Sequence, residues 1–359
     1  MPKTELEKGK AAEAAKKPHL RGSGRSVDWR RAALLGFSVL LTGVVFVLLL
    51  RQTELAVVGQ MLREVRPAAV GVYVLLLLAM YALRACRYRL VLGTLGVKPP
   101  WGKVFAVVLV RGTCVDLLPA RTGELVYLRL VTKDLGGTAG AATTSFALPF
   151  LYDLLALTPL VLLGAWYWQT TREVQTLGLA LAAGGLMLLA GLTLRLLPWG
   201  LRLGQAVLHW PVIRRLPGLP VAAHFLETTR SGILEARAAG IEWRLFGYSL
   251  LVRLCKYGAM YVLLYGLLSE KGWQLADLPF PLVFLGLVSA EMAASLPISG
   301  LGGFGAFEGA WALVFQLLLL PADLAAASGI AHNAFSKLVG GSLGVAAYVA
   351  LLISRRKSA

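Results

Sequence analysis

Long apolar runs, separated by short polar and mostly basic stretches, recur along this chain from residue 32 to residue 353. Runs of about 20 apolar residues are long enough to cross a hydrocarbon core of roughly 30 Å as helices. Uninterrupted runs predict spans at 32–50, 67–92, 141–166, 176–197, 245–267 and 325–353. Two other apolar regions, 104–131 and 281–320, are broken in the middle. Arms of roughly 15 apolar residues are short for a crossing, so each region is expected to enter and leave on one face. The expectation is an all-α polytopic membrane protein with six full spans and two re-entrant hairpins, about eight transmembrane elements.

The breaks are similar in kind. Residues 118–130 read LPARTGELVYLRL and residues 296–309 read LPISGLGGFGAFEG. Pro119 and Pro297 each remove a backbone donor and disfavour helix just ahead of them. Gly123, Gly302, Gly303 and Gly305 permit positive φ and close backbone approach. Non-helical backbone at membrane depth is tolerated only where protein or water surrounds it, so both breaks predict an internal polar cavity at the hairpin tips. The helix that resumes after each break would aim N–H groups into it, an arrangement suited to phosphate or another anion.

Charge orients the chain. Of its 359 residues 57% are hydrophobic, more than the roughly 45–50% of soluble domains. The net charge of +17 comes from basic residues flanking the apolar spans, at Lys3 to Arg31, at 195–244 and at Arg355–Lys357. That pattern follows the positive-inside rule and attraction to anionic headgroups, and argues against nucleic acid. Both basic termini are expected in the cytoplasm, with 93–103, 129–133 and 195–244, while 269–278 falls outside. The two halves then each read span, span, hairpin, span, from opposite faces, the layout of an inverted-topology repeat. Residues 1–31 are expected to form a disordered basic tail, 32–353 the membrane domain and 354–359 a second basic tail. Within the domain, 198–244 is a cytoplasmic loop with amphipathic helices on the membrane surface. Residues 32–50 should remain as an anchor, since no secretory cleavage pattern accompanies them.

Charges inside spans are costly and usually face a cavity or a partner. Arg111, Asp116, Arg121, Glu124, Asp153, Glu291, Glu308 and Lys337 stand in or beside the apolar segments. Arg121 and Glu124 can pair if their stretch is helical. Arg84 and Arg87 share a helix face, as do Arg253 and Lys256; for these, and for Arg89, snorkelling to the interface competes with an inward role. His332 reads as a hydrogen-bonded packing residue. Cys86, Cys114 and Cys255 lack metal spacing and read as small buried hydrophobes. No phosphate loop, zinc-protease or nucleophile-elbow motif occurs, and GGFGAFEG has no strand before it. No enzymatic activity, cofactor or metal is expected.

LPARTGELVYLRL, the YDLLAL that follows, and LPISGLGGFGAFEG together resemble the lysylphosphatidylglycerol synthase transmembrane region family over about residues 32–353. The resemblance implies a flippase-like lipid translocase of the inner membrane, without the soluble aminoacyl-transfer domain of the full synthase. It marks Pro119, Arg121, Gly123 and Glu124, then Asp153, then Pro297, Gly302, Gly303 and Glu308. Many relatives carry an arginine shortly before the aspartate, where this chain reads LPFLYD; Lys337 or His332 stands where a last-span arginine is common.

The first expectation is therefore a translocase in which Arg84, Arg111 and Arg121 hold a lipid phosphate. Glu124, Asp153, Glu291 and Glu308 would balance charge, bind a cationic headgroup or exchange protons. A second is a non-transporting subunit that docks a lipid- or glycan-modifying enzyme through 198–244; an oligomer is compatible with either. A third is a membrane-embedded transferase acting on a lipid carrier.

Overall fold

A computed structural model of the protein describes residues 43–45, 47–51, 53–117, 123–172, 177–208, 219–294 and 304–358. Among them every regular element is helical. After a helical stretch, Gly43–Leu50, come α1 (Leu55–Arg63), α2 (Pro67–Thr94), α3 (Trp101–Leu117), α4 (Gly123–Asp134), α5 (Ala139–Arg172) and α6 (Leu177–Leu208). The remainder are α7 (Leu219–Ala238), α8 (Glu242–Leu268), α9 (Phe280–Ala294), α10 (Ala306–Leu318) and α11 (Ala322–Ser358). Four helices are long and apolar enough to cross a membrane, Pro67–Thr94, Ala139–Thr171, Glu242–Lys271 and Ala322–Arg356. With the shorter apolar helices α9 and α10, they make this a multi-pass, all-α membrane protein.

The expected span 176–197 falls on α6, whereas most of 32–50 lies outside the described residues. Each broken region is a pair of short helices, α3 with α4 and α9 with α10, and the residues joining them, 118–122 and 295–303, also lie outside. The link after the first span contains α1, which buries Val58 and Met61. Much of 198–244 is drawn into the bundle: α6 runs to Leu208, and α7 lays its backbone on α5. A Cβ on Gly232 would lie 2.7 Å from Thr144 Oγ1, and the Thr144 hydroxyl donates to the Thr229 carbonyl at 3.3 Å. Ile233 and Ala236 are buried there, which gives α7 an apolar partner other than lipid.

The most extensive helix pair is α2 with α8. The Arg66 N–H donates to the Gly266 carbonyl at 3.1 Å, Leu76 lies against Gly258, and Arg87 reaches Ser249. Numbers rise along α2 as they fall along α8, so the two run antiparallel. The absence of a water-driven hydrophobic force between helices in lipid makes close backbone approach the main source of attraction. Small residues supply it: a Cβ on Gly266 would lie 2.6 Å from that of Ala69. One apolar core, with Tyr88, Val104, Val108, Tyr127 and Leu130, surrounds α3 and α4. Another, with Leu263, Phe284, Trp311 and Phe315, surrounds α9 and α10. Leucines such as Leu75, Leu188 and Leu338 stay exposed, as lipid-facing positions should.

Candidate functional site

Helix periodicity puts Arg84 and Arg87 on one face of α2. Arg87 is 1% exposed and grips Asp153 of α5 with both terminal nitrogens, one of which also donates to Ser249 Oγ of α8 at 2.6 Å. Of the two roles open to Arg87, the inward one holds: a carboxylate and a hydroxyl await it at its own depth, so the stem has no reason to stretch to the interface. Arg89, two residues on, is exposed. Asp153 has no arginine shortly before it on its own helix and takes one from α2.

On α8, Lys256 forms an ion pair with Glu291 of α9, and Arg253 lies 3.9 Å from the same carboxylate. The Tyr257 hydroxyl donates to Glu291 Oε2 at 2.8 Å. These two basic residues therefore also face inward. Glu291 is shared by two cations and a phenol.

In the first broken region, Arg111 of α3 donates to both oxygens of Glu124 on α4, at 2.7 and 2.8 Å. Tyr88, Tyr127 and Phe146 ring that guanidinium, with its carbon 5.3–5.8 Å from their centroids. The expected partner of Glu124, Arg121, lies outside the described residues, and Arg111 takes both carboxylate oxygens. Gly123 is needed for close approach alone: it is not among the positive-φ glycines, and a Cβ there would drive into the backbone of Cys114 and Val115. Asp116, near the end of α3, is exposed. Its carbonyl lies 3.5 Å from Lys337 Nζ of α11, and that ammonium sits 4.3 Å from the Phe304 ring centroid.

In the second broken region Gly305 adopts φ 112°, the left-handed side expected of it. Glu308 folds back so that Oε2 accepts the Gly305 N–H at 2.7 Å while Oε1 accepts the Asn333 amide of α11. The side chain is fully buried. The start of α10 is thus capped from within by its own carboxylate, which already occupies part of the place an external anion would take. His332 is buried, its Nε2 3.2 Å from the Met260 carbonyl.

The fold therefore gathers Arg84, Asp153, Glu291, Asp116 and Lys337 about the α2–α8 crossing, joined by Arg87, Ser249, Arg253, Lys256 and Tyr257. Asp153 is within electrostatic reach of Arg87, Arg253 and Arg84, and Asp116 of Lys256, Lys337 and Arg84. Arg111 with Glu124, and Glu308 with Asn333, form separate knots at the two broken regions. Arg121, Pro119, Pro297, Gly302 and Gly303 lie outside the described residues. Among the described residues no three His, Cys, Asp or Glu side chains gather as metal ligands.

A profile described as lysylphosphatidylglycerol synthase TM region matches residues 34–344. The chain belongs to that family. No curated protein matches the chain. Membership in the lysylphosphatidylglycerol synthase TM region family makes it a membrane domain of a kind associated with lipid modification. The signal that would have found the partners missed by the spans is an internal echo: residues 84–88 read RACRY and residues 253–257 read RLCKY. Both copies lie on the antiparallel helices α2 and α8, and each sends its second cation to a carboxylate on a different helix.

Proposed function

We propose that this member of the lysylphosphatidylglycerol synthase TM region family is a lipid translocase, moving a phosphate-bearing lipid between the leaflets of the inner membrane with both termini in the cytoplasm. The observation that carries the reading is a charged constellation centred on the membrane-length helices α2, α5 and α8: Arg87 with Asp153, Arg253 and Lys256 with Glu291 of the shorter α9, and Arg84 and Asp116, the latter near the end of α3, beside them. So many charges at that depth are expensive unless they serve a polar solute. The face of α11 that carries Lys337, Leu338, Gly341, Ser342, Val345 and Ala346 gives acyl chains a largely apolar approach to Lys337 and Asp116.

An inverted repeat with six crossings and two re-entrant hairpins supplies the motion. Three relations support it. The proposed mates α2 and α8 are antiparallel and carry the echoed RACRY and RLCKY. Contacts of α3 with α11 are matched by those of α9 with α5. Contacts of α2 with α5 are matched by those of α8 with α11. Rocking one half against the other would expose the cluster to each face in turn. The test is reconstitution into vesicles carrying a fluorescent phospholipid quenched from outside. Translocation well above protein-free vesicles, lost in Asp153→Asn, is the expected result; a rate equal to protein-free vesicles for the wild type overturns the reading.

A further inference from the structure

The contacts of Leu76 with Gly258 and of Arg87 with Ser249 set the register of the antiparallel pair and place Leu83 opposite Val252, within one apolar core. Each of these residues immediately precedes one copy of the echoed segment. A local two-fold axis through that point exchanges RACRY with RLCKY. Arg84 and Arg253 then stand one residue beyond the axis in opposite directions, at depths that differ by only roughly 3 Å for a rise of about 1.5 Å per residue.

The charges here do not balance. The two segments supply Arg84, Arg87, Arg253 and Lys256; the carboxylates that face them are Asp153 of α5, Glu291 of α9 and Asp116 of α3. Arg87 is committed to Asp153, and Lys256 and Arg253 divide Glu291. Lys337, the other cation near Asp116, lies within electrostatic reach of Glu308 as well. Among the described residues one positive charge is left over. The buried Nε atoms of Arg84, Arg87 and Arg253 also lack a hydrogen-bond acceptor, although buried donors are as a rule satisfied.

We propose that the crossing of α2 and α8 is a binding site for a single phosphodiester monoanion, held between Arg84 and Arg253, one guanidinium from each half. A phosphodiester carries the one negative charge the cluster needs, and its oxygens accept from the planar fork of arginine. A phosphomonoester dianion would reverse the imbalance. The site rests on the translocase reading for the supply of lipid at this depth. Its position beside the axis allows Arg84 and Arg253 to exchange roles when the two halves exchange conformations.

The full chain, purified in detergent, is titrated with dioctanoyl phosphatidylglycerol, with dioctanoylglycerol and with sodium phosphate while thermal unfolding is followed. Saturable stabilisation by the phosphatidylglycerol alone is expected, with affinity reduced roughly tenfold or more in Arg84→Gln and in Arg253→Gln, as for loss of a charge-assisted hydrogen bond. Arg84→Lys and Arg253→Lys keep the charge and protect the fold; weakened binding is expected in both, since lysine lacks the fork. Unaltered binding in either pair of variants at one position overturns the site, as does equal stabilisation by dioctanoylglycerol. A phosphate response saturating at the same concentration overturns the phosphodiester assignment in favour of a free-phosphate site. Binding that persists and depends on Arg84 and Arg253, in a protein that moves no lipid in vesicles, overturns the translocase reading and leaves the site standing.

Discussion

Arg87 on α2 holds both carboxylate oxygens of Asp153 on α5 while it donates to Ser249 on α8. One guanidinium thereby ties three of the helices that make the centre of the fold. Its burial is nearly complete, and the pair has desolvation costs that only the full set of partners offsets.

Removing one side of that pair should therefore hurt more than removing both. Asp153→Asn leaves Arg87 buried without a counter-charge, and breaking a buried pair this way costs about 3–5 kcal/mol in soluble proteins. Arg87→Met combined with Asp153→Leu removes both charges and is expected to recover most of that loss. Thermal unfolding of the three forms in one detergent checks the order, and a double variant no more stable than Asp153→Asn would contradict it.

Arg111 and Glu124 make a coupled unit by the same logic, with two parallel hydrogen bonds inside an aromatic ring of side chains. Arg111→Lys cannot reproduce the fork. The coupling energy in a cycle with Arg111→Gln and Glu124→Gln should fall within about 0.5–3 kcal/mol for groups in direct contact. Additive effects would mean that α3 and α4 are held together by the apolar contacts alone.

Much of the architecture was legible in the sequence because lipid imposes simple demands. Helix ends fall within a few residues of the apolar runs for α2, α8, α9 and α10. The two breaks were readable because Pro119, Gly123, Pro297 and Gly305 violate helix chemistry in the middle of apolar text. Pairing was harder to read. Glu124 gives both carboxylate oxygens to Arg111, 13 residues away. Asp153 finds Arg87 from 66 residues away. Such partners are chosen by which helix faces meet, and apolar periodicity in a membrane helix that is hydrophobic nearly all round says little about that. The α7 segment shows the same limit: its polar residues point to a surface helix, but only the structure shows Gly140 and Gly232 letting it pack on α5.

Gly123 offers a steric test. A methyl group there would meet the backbone of Cys114 and Val115, which cannot swing aside as a side chain can. Gly123→Ala should push α4 away from α3, stretch the Arg111–Glu124 pair and cost about 1–3 kcal/mol, the usual range for overpacking. Reduced yield of monodisperse protein and a lower unfolding midpoint are the expected signs. Gly96→Ala would be a poor control because its φ is 76°; Gly102→Ala is suitable, having nothing within 4 Å of the added carbon.

Glu308 allows the cap and the charge to be separated. Its carboxylate accepts one hydrogen bond from the Gly305 N–H and one from Asn333, with no solvent exposure. Glu308→Ala removes both acceptors, and each stranded donor costs about 1–3 kcal/mol, so a marked loss of stability is expected. Glu308→Gln retains an oxygen for Gly305, and Asn333 can turn its amide to accept from the new NH₂ group. The glutamine form should lie within about 1 kcal/mol of the wild type, the size of a typical net hydrogen bond. Stability measured on both variants therefore reports the cap, and lipid movement measured on Glu308→Gln alone reports the charge. A well-folded Glu308→Gln protein that fails to move lipid would assign the negative charge a part in transport. Full movement would confine Glu308 to holding the start of α10 against α11, and leave the work of transport to the cluster around Arg84 and Arg253.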